Sequence, residues 1–152
     1  MLFICAGIAV IAIWLAVIDA KTMRIPNKIV VPAILMAALL MASLGWNLVW
    51  QPILAAAASF GFLLVLNLVT RGQIGMGDVK LAALLGLGLG ALGWGYWLLG
   101  VSLGFVFGGI GALVLLLRGR GLGLRSYFAY GPYLVAGALV TGLLFLVQLR
   151  SF

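Results

Sequence analysis

Six apolar runs, at about 2–18, 29–46, 53–70, 79–93, 95–117 and 130–149, fill most of the 152-residue chain. A helix of roughly 20 apolar residues crosses the hydrocarbon core of a bilayer, and irregular backbone inside that core leaves peptide groups unpaired. The runs therefore predict six transmembrane helices joined only at the breaks DAKTMRIPNK, NLVWQP, TRGQIGMGD, GALGWGYW and RGRGLGLRSYFAYGP. Hydrophobic residues make up 66% of the chain and charged residues 7%, with a mean hydropathy of +1.36. Lipid is the solvent for most side chains. The expected fold class is an all-α integral membrane protein, a single transmembrane domain over 1–152 with no room for a soluble one. The fourth run is short and glycine-rich. Its turn into the fifth is expected to rest on Gly93 and Gly95, with Trp94, Tyr96 and Trp97 as interfacial anchors. No basic segment precedes the first run, which reads as a retained span and not a cleaved signal.

Charge orients the bundle. Lys21, Arg24 and Lys28 lie in the first break, Arg71 and Lys80 at the third, and Arg118, Arg120 and Arg125 in the fifth, whereas the second and fourth breaks carry none. The positive-inside rule then puts the odd breaks in the cytoplasm and both termini outside, with Arg150 the one exception. The net charge of +7 suits anionic lipid and is not read as a nucleic-acid surface.

Only two acids exist, Asp19 and Asp78, and the predicted topology brings both to the cytoplasmic membrane edge. A carboxylate at the centre of a spanning helix costs about 2.5–3.5 kcal/mol and less near the interface, so two solvated interfacial charges are the bland reading. The placement of Asp78 inside a Gly-x-Gly-Asp loop favours a selective one. Gly75 and Gly77 permit positive φ and close backbone approach. Lys80 stands two residues from Asp78, and such pairs do not face each other on a helix, which makes it a substrate or lipid contact before an ion-pair partner. Pro26 and Asn27 read as the N-terminal signal of the second helix. Gly131 and Pro132 likewise start the sixth.

Several chemistries are excluded by composition. With no histidine and a single cysteine, Cys5, the chain can build no intrachain disulfide, no Ser-His-Asp triad and no ordinary zinc site. No metal and no cofactor are expected. Gly88, Gly90 and Gly93 match the dinucleotide pattern Gly-x-Gly-x-x-Gly, but no strand precedes them and no acid follows; they and Gly104 with Gly108 read as helix-packing surface. What remains for hydrolysis is the carboxylate pair, because two aspartates held close cannot both ionise and one then activates water. The alternative is a proton- or cation-translocating membrane subunit using Asp19 and Asp78. It would prefer acids near the midplane and a polar path, where the spans offer few polar side chains beyond Ser43, Ser59, Asn67, Ser102 and Thr141.

Three segments carry a family likeness. Ile18 to Lys28, an aspartate followed by Ile-Pro-Asn, resembles the first catalytic segment of type IV prepilin peptidases; Gly75 to Leu81, GMGDVKL, resembles their second; Tyr130 to Gly137, YGPYLVAG, is similar to the stretch that opens their last helix. Presenilin-type relatives share Gly-x-Gly-Asp but carry a Tyr-Asp first segment and a late Pro-Ala-Leu, and neither is found here. The resemblance implies a multi-pass aspartic endopeptidase of the cell inner (cytoplasmic) membrane. It would cleave short basic leaders from prepilins or pseudopilins, with Asp19 and Asp78 as the catalytic pair. Its partners are then the pilin substrate and membrane lipids, with no nucleic acid. Many long members add an N-terminal zinc domain associated with methylation of the new pilin N-terminus. This chain resembles the short, peptidase-only members.

Overall fold

The computed structural model describes residues 1–22, 27–70, 74–117 and 130–151. They form α1 (Leu2–Thr22), α2 (Asn27–Ser43), α3 (Trp46–Val69), α4 (Met76–Leu92), α5 (Trp94–Leu117) and α6 (Gly131–Arg150), and no strand occurs among them. Four of the helices, α1, α3, α5 and α6, are long and apolar enough to cross a membrane. At 17 residues each, α2 and α4 stand at the lower end of spanning length. The all-helical expectation holds, and its six elements fall on the six apolar runs.

The boundaries differ from the runs for physical reasons. Nothing in Asp19-Ala-Lys-Thr22 breaks a helix, and Lys21 in the last turn complements the negative end of the dipole; α1 therefore continues past its apolar run and carries Asp19 within it. The break NLVWQP is wholly helical, since α3 starts at Trp46 and takes Pro52 into its second turn. Proline is tolerated in a membrane helix where neighbouring helices compensate the lost donor. The chain turns between α2 and α3 at Gly45, inside the second apolar run, and between α4 and α5 at Gly93 in the fourth break; these two glycines hold φ of 133° and 129°, a region that favours glycine. Gly95, expected to share the second of these turns, lies inside α5.

The short fourth helix is the centre of the bundle. It packs against each of the other five and is buried almost continuously from Leu81 to Gly90. A helix surrounded by helices needs small residues wherever a backbone comes close. A Cβ on Gly86 would stand 2.8 Å from the Ala55 carbonyl oxygen, and one on Gly90 2.5 Å from the Ala55 Cβ. Glycine thus sets the spacing of α3 and α4, and a Cβ on Gly88 would stand 3.2 Å from Ile8 of α1. On α5, Gly104 faces Leu134 and Gly108 faces the Tyr130 ring. Gly88, Gly90, Gly104 and Gly108 thus make packing contacts of the expected kind, whereas Gly93 forms the turn between α4 and α5.

The uncharged polar side chains buried among the described residues bond within the bundle, as lipid demands. Ser59 Oγ donates to the Ala55 carbonyl at 2.8 Å and accepts from Trp97 Nε1 at 2.8 Å, tying α5 to α3. Thr141 Oγ1 donates to the Gly137 carbonyl at 2.9 Å. Trp97, expected as an interfacial anchor, thus directs its N–H inward, while Trp94 stays 39% exposed.

Candidate active site

Three helix ends converge at one end of the bundle. Asp19 arrives on the last turns of α1, Asp78 on the first turn of α4, and Gly131 opens α6. Both carboxylates are withdrawn from the surface, at 4% and 3% exposure. Asp78 is placed by ordinary helix-start chemistry: Gly75 is the N-cap in extended conformation, and its carbonyl accepts from the N–H groups of Asp78 at 3.0 Å and Val79 at 3.4 Å. Asp78 Oδ2 turns back toward Gly75, 3.6 Å from where a Cβ there would stand, much as the third residue of a capping box does.

The other oxygens face each other across Gly131. A Cβ on Gly131 would stand 2.8 Å from Asp19 Oδ2 and 3.2 Å from Asp78 Oδ1. The separation of these two oxygens therefore cannot exceed the sum of those distances. Backbone N–H groups lie close, Gly131 toward both carboxylates and Tyr130 toward Asp78. Even so, Asp19 Oδ2 and Asp78 Oδ1 are buried and accept no hydrogen bond of proper geometry among the described residues. Buried polar atoms in native proteins are nearly always partnered. Two orphans aimed at one glycine therefore mark a place built to hold something polar.

Residues 6–147 match the sequence model of the type IV leader peptidase family. The chain belongs to that family. It is 33% identical over 130 residues to the prepilin leader peptidase/N-methyltransferase of Bacillus subtilis (strain 168), an alignment that covers 82% of this chain and 49% of that protein. The chain spans about half the length of that relative. No solved structure matches it. Membership in the leader peptidase family, together with the apolar helices, makes this a multi-pass membrane protein, and it does not favour the translocation alternative.

Within this member of the family the structure brings together four of the residues singled out in the sequence: Asp19, Asp78, Gly75 and Gly131. Gly77 is in the first turn of α4, and neither it nor Gly75 has positive φ. The freedom expected of the pair is not used, because a regular helix start already delivers Asp78. Lys80 is half-buried on the same helix, two residues beyond Asp78. Pro132 follows Gly131 at the start of α6, where its fixed φ suits a first turn. Asn27 opens α2, and Pro26 lies outside the described residues, as do 71–73 and 118–129 of the breaks expected to face the cytoplasm.

Tyr130 is the neighbour to which sequence reasoning gave no role. Its ring meets Phe105 with centroids 5.6 Å apart and covers Gly108, so α5 braces the start of α6 from behind. Among the described residues no group of three or more potential metal ligands gathers. A roomy apolar cavity lies elsewhere. About 460 Å³ in volume, it is set between α1, α4 and α6 near Cys5, Leu85 and Leu146. Leu15 and Leu81, fully buried and about one turn from Asp19 and Asp78, are not part of its wall.

Proposed function

We propose that the chain is a membrane aspartic endopeptidase that cleaves the leader from prepilins or pseudopilins, with Asp19 and Asp78 acting as one unit on a shared water. The observation that carries this reading is the pair of buried, unpartnered oxygens converging beside Gly131. Two carboxylates so close in a desolvated site cannot both be ionised, so together they hold one proton. The ionised member takes a proton from water as the hydroxide attacks the scissile carbonyl. The protonated member gives its proton to the carbonyl oxygen. Collapse of the tetrahedral species returns that proton, breaks the C–N bond and delivers the first proton to the departing amine. The leader leaves with a new carboxylate, the mature pilin with a new N-terminus, and the pair returns to its starting state.

A synthetic prepilin mixed into vesicles holding the purified protein tests the reading. Mass spectrometry should find leader and mature fragment as separate products. An intact prepilin beside demonstrably folded protein would refute the proposal.

The same reading includes six spans, a cytoplasmic catalytic edge and both termini outside, supported by the sorting of basic residues. In a Cys5→Ser background, single cysteines at Lys21 and Gln51 should respond oppositely to an impermeant thiol reagent applied outside the cell. Gln51→Cys is expected to label and Lys21→Cys to be protected; the reverse would overturn the orientation.

A further inference from the structure

We propose that Asn67 is a positioning residue that holds Asp78 in reach of Asp19, a proposal that rests on the two-carboxylate reading. Asn67 sits in the last turn of α3, 8% exposed, and is one of only five buried polar or charged side chains among the described residues. Its Nδ2 donates to the carbonyl of Ile74. Ile74 directly precedes Gly75, the N-cap of α4, and Asp78 is three residues beyond that cap.

The bond is not needed to finish α3. Thr70 does that: its Oγ1 donates to the carbonyls of Leu66 at 2.7 Å and Asn67 at 3.2 Å, and its N–H donates to Leu66 at 2.9 Å. The Asn67 amide is thereby left to reach forward seven residues. What it reaches is the end of α4 that glycine packing does not lock. The contacts of Gly86 and Gly90 against Ala55 fix α4 to α3 in its second half, two to three turns from Asp78. Asn67 supplies the second fixed point, at the catalytic end.

The effect falls on one carboxylate alone. Among the described residues α3 makes no packing contact with α1, whereas it packs extensively on α4. Asn67 therefore sets where Asp78 stands and leaves Asp19 untouched. The two oxygens share a space defined by 2.8 Å and 3.2 Å around Gly131, so a small drift of the α4 start opens the pair. Catalysis is far more sensitive to such a drift than folding is, since an error of about 1 Å can cost roughly 10²-fold in rate. One neutral hydrogen bond, in contrast, contributes little to the stability of a whole bundle.

Three variants in the full-length protein test the proposal. Asn67→Leu keeps the bulk and removes the donor. With a synthetic prepilin in vesicles its kcat is expected to fall about 10²-fold, with KM and melting temperature nearly unchanged. Asn67→Asp keeps the shape and can donate only when protonated, so its rate relative to wild type should rise as pH falls. That ratio should be flat for Asn67→Leu. The third readout needs no activity: with Cys5→Ser, the pair Asp19→Cys and Asp78→Cys should form a disulfide readily, and adding Asn67→Leu should slow it. A normal kcat in Asn67→Leu, a pH-independent ratio in Asn67→Asp, or an unchanged disulfide rate would each overturn the role of Asn67. Should the cysteine pair fail to join even with Asn67 in place, the two-carboxylate reading itself would fall.

Discussion

Asp19→Asn and Asp78→Asn, each alone, are expected to lower prepilin cleavage by about 10²–10⁴-fold, the range that general acid–base groups supply. Asparagine preserves the shape of each side chain and removes its proton chemistry. No substitute is at hand, because these are the only acids in the chain and it has no histidine; Lys and Tyr are poor bases at neutral pH without large pKa shifts. The double variant should be scarcely slower than either single one, since the members of one catalytic unit are not additive. Glutamate at either position should fail as well, because its extra methylene displaces a carboxylate whose partner oxygen is held beside Gly131. Folding should not suffer. Both side chains are buried and each leaves an oxygen unpartnered, an arrangement that costs stability, so a neutral amide is expected to leave the melting temperature equal or higher. Rates on a synthetic prepilin, with thermal unfolding of the same preparations, check both halves. A folded Asp78→Asn protein that still cleaves at near wild-type rate would end the aspartic reading.

The fold class was legible because lipid imposes a crude rule, and runs of apolar residues obey it. The meeting of Asp19 and Asp78 was legible only as a shared end of the bundle, through the sorting of basic residues. Their separation was not, since it depends on how α1, α4 and α6 pack. Gly131 illustrates the gap. In the sequence Gly131-Pro132 reads as a helix start, and it is one, but nothing local says that its missing Cβ lies between carboxylates brought by two other helices. The centrality of α4 was obscured by its length, although the glycines at 86, 88 and 90 were a usable sign, because lipid-facing helices have no need of them. Asn67 carried a signal too. An amide inside an apolar run must find a partner, and the nearest backbone outside a regular helix was the loop before Gly75.

Gly131→Ala should remove most activity while leaving both carboxylates in the chain. Positive φ is no obstacle to alanine, since among the described glycines it is confined to Gly45 and Gly93, but Gly131 directly precedes Pro132 in the first turn of α6, where the proline ring disfavours a helical residue that carries a Cβ. Crowding adds to that cost. The new methyl would lie 2.8 Å from Asp19 Oδ2, 3.2 Å from Asp78 Oδ1 and 3.3 Å from Leu81 Cδ2, and overpacking of this kind costs about 1–3 kcal/mol. The melting temperature should therefore fall by several degrees. Activity should fall much further. The methyl would occupy the space on which both unpartnered oxygens converge, spreading the pair and taking the position proposed for the shared water. A loss of at least about 10²-fold in kcat is expected, as for a misplacement of roughly 1 Å. Gly61→Ala, where a Cβ meets nothing within 4 Å, serves as the control and should cleave normally. If Gly131→Ala kept the wild-type rate, the space between Asp19 and Asp78 would not be where the peptide bond is broken, and the chemistry would have to be sought at a different face of the same two carboxylates.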